Sequence, residues 1–157
     1  MIKAKKSLSQ NFLKDKNISK KITSLVKLEN NVVLEIGPGY GFLTDSILES
    51  NPKKLYLIEK NKYLINLLKK KYFNNTKIVI LEGDILNQNL NKFKNLIIIS
   101  NLPYNISTKI ILYLFKYNKN ILEMVFALYS EFVQKLLHLQ LLLTGPQTCL
   151  LHPLHQL

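Results

Sequence analysis

Five short apolar runs punctuate this chain, and the segments between them carry apolar residues every three or four positions. The runs at 32–36, 55–58, 77–81, 96–100 and 121–128 are rich in Val, Ile and Leu and bounded by Gly, Pro, Asn or Lys. Short continuous apolar runs with such punctuation read as strands buried on both faces. After Asp15, a candidate cap, the positions Ile18, Ile22, Leu25 and Val26 predict an amphipathic helix covering the sheet. Further helices are predicted over 42–48, over 60–72 with Leu64, Leu67 and Leu68 on one side, and over 107–117 with Ser107 as its cap. Lys69, Lys70 and Lys71 close the 60–72 helix, where cations complement the helix dipole. Strand and helix alternate five times, which predicts an α/β fold with a doubly wound, mainly parallel sheet.

The ends of these strands carry the candidate chemistry, at the edge where open α/β sheets bind ligands. Behind the first strand stands Gly37-Pro38-Gly39-Tyr40-Gly41, whose alternate glycines let backbone approach a ligand closely. A dinucleotide fingerprint wants its third glycine three residues after the second, whereas position 42 is Phe, so the spacing leans toward S-adenosylmethionine. Glu59 ends the second strand, where a carboxylate can accept hydrogen bonds from both ribose hydroxyls of either kind of ligand. The alternative is a helix-capping Glu. Asp84, after the third strand, can accept from an adenine amine, and Ile85 can pack on the ring.

The fourth strand delivers Asn101-Leu102-Pro103-Tyr104. Pro103 forbids continuation of the strand and leaves an amide and a phenol at its carboxyl end. The amide can accept hydrogen bonds from an amino group and the ring offers a stacking face, a pairing suited to a planar amine such as adenine. Asn and Pro are also ordinary turn residues, so these four residues alone leave both readings open.

Composition adds a basic surface. The 157 residues allow one domain, and the formal net charge is +12 with 22 basic residues, all of them Lys. Such a surface attracts nucleic acid or anionic membrane, but without Arg there are no bidentate phosphate clamps, so attraction is relatively non-specific. The single Cys149 excludes an internal disulfide framework and a multi-cysteine metal site. His138, His152 and His155 have no accompanying carboxylates in sequence, and no metal is expected. Neither a secretory leader nor a membrane-spanning run is read in the first 135 residues, and a cytoplasmic compartment is expected.

Taken together, the stretches Ser9-Gln10-Asn11-Phe12-Leu13, 35–44, Glu59, Gly83-Asp84-Ile85 and 101–108 resemble the ribosomal RNA adenine dimethyltransferase family, in the family's order, over residues 1 to about 136. The resemblance implies a Rossmann-like methyltransferase fold that uses S-adenosylmethionine to dimethylate N6 of adenines in small-subunit rRNA during ribosome maturation. It implies that Asn11 and Leu13 close over the cofactor and that the loop of Gly37 and Gly39 passes under its methionine part. Glu59 is then the ribose ligand, and Asp84 and Ile85 hold the adenine. Asn101 touches cofactor and target base, the Leu102 backbone and Pro103 shape the base clamp, and Tyr104 stacks on a flipped-out adenine. The implied partner is small-subunit rRNA or a pre-ribosomal subunit, met by a monomer without metal or membrane.

The resemblance divides the chain into a cofactor-binding core at 1–135 and a divergent leucine-rich tail at 136–157. A five-stranded sheet is expected, with its last strands and a helical domain missing and the tail either covering the open edge or promoting association. Gly145-Pro146 is read as ending a helix. Two rivals stay open: the related macrolide-resistance methylases of large-subunit rRNA, and a non-catalytic RNA-binding assembly factor or inactive fragment.

Overall fold

The computed structural model describes residues 16–102, 104–128 and 148–153. Six strands build one sheet: β1 (Val32–Ile36), β2 (Lys54–Glu59), β3 (Ile78–Glu82), β4 (Leu96–Asn101), β5 (Ile121–Leu128) and β6 (Thr148–Pro153). Their order is β3-β2-β1-β4-β5-β6, and every pairing is parallel. The order reverses between β1 and β4, the switch point at which doubly wound sheets open a crevice.

Four helices are described: α1 (Lys16–Ser24), α2 (Phe42–Glu49), α3 (Lys62–Lys71) and α4 (Tyr104–Phe115). Successive strand residues point to opposite faces, so an unbroken apolar run supplies both. Val33, Ile97, Ile99 and Val125 pack with Ile22 of α1, Leu43 and Ile47 of α2 and Leu68 of α3. Their neighbours Leu34, Ile98, Met124 and Phe126 join Ile110, Ile111 and Leu114 of α4 on the other face. The connection from β3 to β4 completes that second layer with Leu90 and Phe93, whose ring meets Tyr56 edge-on at 4.8 Å. Three tight turns, two just ahead of β1 and β2 and one at the start of β4, use Asn30, Asn51 and Asn95 at φ 58°, 53° and 52°, a left-handed conformation that Asn tolerates.

Several boundaries differ from the sequence reading, each for a local reason. Helix α3 begins at Lys62 because the Asn61 side chain accepts from the N–H groups of Tyr63 (2.9 Å) and Leu64 (3.4 Å), capping the first turn. Its buried positions are Ile65 and Leu68, while Leu64 and Leu67 are half-buried. Helix α4 begins at Tyr104, three residues ahead of the expected cap, and Ser107 is fully buried within it. Pro103 precedes that start, and a proline ahead of a helix removes no internal hydrogen bond.

The tail covers the open edge, one of the two roles expected of it, and does so as a sixth strand against the five expected. Thr148–Pro153 lies parallel to β5, in register from Glu123↔Thr148 to Leu128↔Pro153, so β5 is an interior strand and the sheet has six strands. The apolar run behind Gly145-Pro146 is long enough for one more strand, and pairing satisfies backbone groups that an open edge leaves bare. Asp15 and residues 129–147, with the expected helix end at Gly145-Pro146, lie outside the described residues, as does His155.

Candidate functional site

Register brings four strand ends to one level. Ile36 pairs with Ile58, Ile58 with Leu81, Glu59 with Glu82, and Glu35 with Ile99. Continuing this register sets Gly37 and Asn101 level with Glu59, and Gly83 follows one residue beyond Glu82, all on the carboxyl edge. Two hydrogen bonds lock this level: the Gly37 N–H donates to the Ile58 carbonyl at 2.9 Å, and the Gly83 N–H donates to the Glu59 carbonyl at 2.8 Å. A third comes from the buried Ser100, whose hydroxyl donates to the Ile36 carbonyl at 2.5 Å and ties the residue before Asn101 to the residue before Gly37.

The glycine loop turns through left-handed conformations at Gly37 (φ 66°), Gly39 (φ 59°) and Gly41 (φ 80°), which only glycine adopts readily. A Cβ at Gly37 or Gly39 would meet nothing within 4 Å, so the missing side chains leave open space above the loop. Gly41 is different: a Cβ there would collide with the Tyr72 hydroxyl. The loop leads directly into α2, whose N-terminus has no side-chain cap.

Glu59 sits 7% exposed at the end of β2. Its Oε1 accepts from the N–H groups of Lys60 and Asn61, at 2.9 Å each. Among the described residues nothing is seen to donate to Oε2, which leaves an acceptor for a diol. Of the two roles open to Glu59 from sequence, capping of α3 falls to Asn61, and one Glu59 oxygen braces the turn. Asp84 caps a short 3-10 turn (Ile85–Asn87) by accepting from the Leu86 N–H at 3.0 Å, and its Oδ2 lies 3.7 Å from Lys60 Nζ. Ile85 is 3% exposed and packs into the core beneath this turn.

On the other side of Gly37, Asn101 is half-buried at the end of β4 and Leu102 is buried. Tyr104 is the first residue of α4. Asn11, Leu13 and Pro103 lie outside the described residues, and so does the side chain of Tyr104. The described members of the candidate set are therefore gathered along one edge in the order Asp84, Glu59, Gly37, Asn101.

Three groups to which the sequence assigns no role at this edge support it. Glu35 is 2% exposed under the glycine loop and accepts from the Thr44 hydroxyl of α2 at 2.6 Å. Burial pushes its carboxyl up to about 8, partly offset by that hydrogen bond. Tyr72, just after α3, brings its hydroxyl to 3.0 Å from the Gly41 carbonyl and 2.7 Å from Asp45 Oδ1. Burial, reinforced by Asp45, raises its phenol far above the usual range, so it stays protonated. Lys71 donates to the carbonyls of Tyr40 (3.2 Å) and Gly41 (3.3 Å) and pairs with Asp45 Oδ2 at 2.7 Å. No periodicity signals Tyr72 or Lys71; a buried Glu two residues before a glycine turn is the one signal that sequence offered.

The edge offers a nucleoside a diol acceptor, an amine acceptor and a backbone cradle clear of side chains. Among the described residues no group of three or more His, Cys, Asp or Glu is placed to hold a metal ion, and no helix is long and apolar enough to cross a membrane.

Known proteins resemble this chain in sequence and fold. The family model for ribosomal RNA adenine dimethylase matches residues 1–140. A ribosomal RNA small subunit methyltransferase A from Hydrogenobaculum is 42% identical over 138 residues, covering 87% of this chain and 54% of its own length. Its counterpart from Pelagibacter ubique is 49% identical over 112 residues, covering 70% and 42%. The chain thus spans about half the length of the curated relatives it matches. Among solved structures, a dimethyladenosine transferase from Plasmodium falciparum superposes with a TM-score of 0.66 at 29% identity, over 77% of this chain and 44% of that one. The 23S rRNA methyltransferase ErmE gives 0.68 at 23% identity, over 77% and 48%, a likeness of fold.

Proposed function

The chain belongs to the ribosomal RNA adenine dimethylase family, and on that premise we propose that it binds S-adenosylmethionine at the carboxyl edge of its sheet and serves methylation of adenine N6 in small-subunit rRNA. The observation that carries this reading is the alignment of Glu59, Gly37 and Asn101 at one level across β2, β1 and β4. When bound, the cofactor supplies an electrophilic methyl group on a sulfonium.

The work of the protein is then positional. Glu59 Oε2 holds the ribose diol, and the turn at Asp84 and Ile85 receives the adenine. The open backbone at Gly37 and Gly39 admits the methionine arm, with Asn11 and Leu13 closing over it. Asn101 and the Leu102 carbonyl accept from the target amine and draw its nitrogen out of conjugation toward tetrahedral geometry, while Tyr104 stacks on the displaced base. An adenine amine that has gained a methyl is acidic enough to lose its proton to water, so no dedicated base is required. Orientation of two reactants is worth up to about 7–11 kcal/mol, which makes it the largest contribution available here. The lysine-rich surface attracts the rRNA backbone without reading sequence, and the reading carries with it a cytoplasmic monomer whose core is residues 1–135.

The test is transfer of labelled methyl from S-adenosylmethionine to under-methylated small-subunit rRNA, with the modified adenines mapped by primer extension. Incorporation lost in Asn101→Ala supports the reading. Cofactor binding without incorporation identifies a binding module, and incorporation only into large-subunit rRNA identifies the macrolide-resistance branch.

A further inference from the structure

The end of α3 reaches a loop thirty residues upstream. Tyr72 Oη stands within hydrogen-bond distance of the Gly41 carbonyl and of Asp45 Oδ1, and Lys71 Nζ donates to the carbonyls of Tyr40 and Gly41 and to Asp45 Oδ2. The two side chains therefore hold the last two residues of the glycine loop and the first turn of α2 together. The phenol lies so close to the loop that a Cβ at Gly41 would strike it, and the left-handed φ of 80° independently demands glycine there. At its other end the loop is fixed by the Gly37 N–H on the Ile58 carbonyl, at 2.9 Å. Between these anchors the Gly41 N–H closes a turn on the Pro38 carbonyl at 2.9 Å, and Gly39 and Tyr40 have no backbone hydrogen bond to the sheet among those described, so this turn is held against the sheet through its two ends.

We propose that Tyr72 and Lys71 are positioning residues that lock the glycine loop in its ligand-receiving conformation without touching the ligand. The inference rests on the reading of this loop as the cofactor cradle. An unlocked loop must be ordered at the moment of binding, and that ordering subtracts from affinity. Loss of a hydrogen bond of ordinary strength corresponds to about fivefold to tenfold in binding.

The experiment uses the full chain with Tyr72→Phe, Lys71→Met and, as a control on the same helix, the exposed Lys70→Met. S-adenosylhomocysteine affinity is measured by calorimetry, and amide hydrogen exchange over residues 37–45 is followed without ligand. The expected result is about fivefold to tenfold weaker binding in Tyr72→Phe and faster exchange at the Gly41 and Asp45 amides, with Lys70→Met unchanged in both. A residue that only stabilises the fold would lower the melting temperature and leave affinity of the folded protein alone. Binding within twofold of the unsubstituted chain together with unchanged exchange overturns the proposal. Failure of the unsubstituted chain to bind overturns the functional reading instead, and loop exchange then decides by itself whether the lock exists.

Discussion

Replacing Glu35 by Gln removes a titration from the floor of the glycine loop while keeping an oxygen to accept from Thr44, so the variant isolates the electrostatics of one buried carboxyl. The folded-state value lies at about 8 against 4.5 for the free side chain, and burial is the main cause. Between these values the folded chain holds a proton that the unfolded chain has released. Stability therefore falls as pH rises: the contribution is complete below 4.5 and fully lost once pH passes about 8. At 1.36 kcal/mol per unit, the loss is about 3 kcal/mol by pH 7 and on the order of 4–5 kcal/mol above pH 8. That is a large share of the stability of a small domain. Urea unfolding followed by circular dichroism at a series of pH values from 4.5 to 9 gives the comparison directly. The stability of Glu35→Gln relative to the unsubstituted chain should climb across this window and level off above about pH 8. A difference that stays constant with pH, or one that shrinks as pH rises, refutes the argument that Glu35 is buried and neutral under the loop.

Further outcomes follow from the same edge. Ser100→Ala leaves the buried Ile36 carbonyl without its hydroxyl donor, and chemical unfolding should show a loss of about 1–3 kcal/mol. Glu59→Ala removes both the diol acceptor and the brace for the Lys60 and Asn61 N–H groups; calorimetry should show S-adenosylhomocysteine binding weakened by about tenfold or more. Gly39→Ala adds a methyl where there is space but forces a left-handed φ of 59° on a residue with a Cβ. Its melting curve should register a cost of about 1–2 kcal/mol.

How much of this was legible in the sequence depends on the kind of signal. β1 and β5 occupy the residues that their apolar runs mark, because a strand buried on both faces leaves a compositional imprint. The glycine loop, Glu59 and Asn101 were legible for a related reason: each follows directly on such a run. The start of α4 was missed because Ser107, a good cap by type, is buried in the helix interior, and the better cue was the proline at 103. Coverage of the open edge by the tail was one of two open readings, but its form as β6 had no cue in the tail's unusual composition, because backbone pairing asks only for an extended run beside a bare edge. The contact of Tyr72 and Lys71 with the glycine loop had no local signature, since their partners at Tyr40, Gly41 and Asp45 become neighbours only after α3 packs against α2.

Everything proposed for this edge depends on the aligned ends of β2, β1 and β4 forming a nucleoside site. A crystal structure of the chain with S-adenosylhomocysteine tests it most directly. The ribose hydroxyls are expected on Glu59, the amino-acid arm over Gly37 and Gly39, and the sulfur facing Asn101. A ligand bound elsewhere, or one at this edge with its ribose away from Glu59, would contradict it.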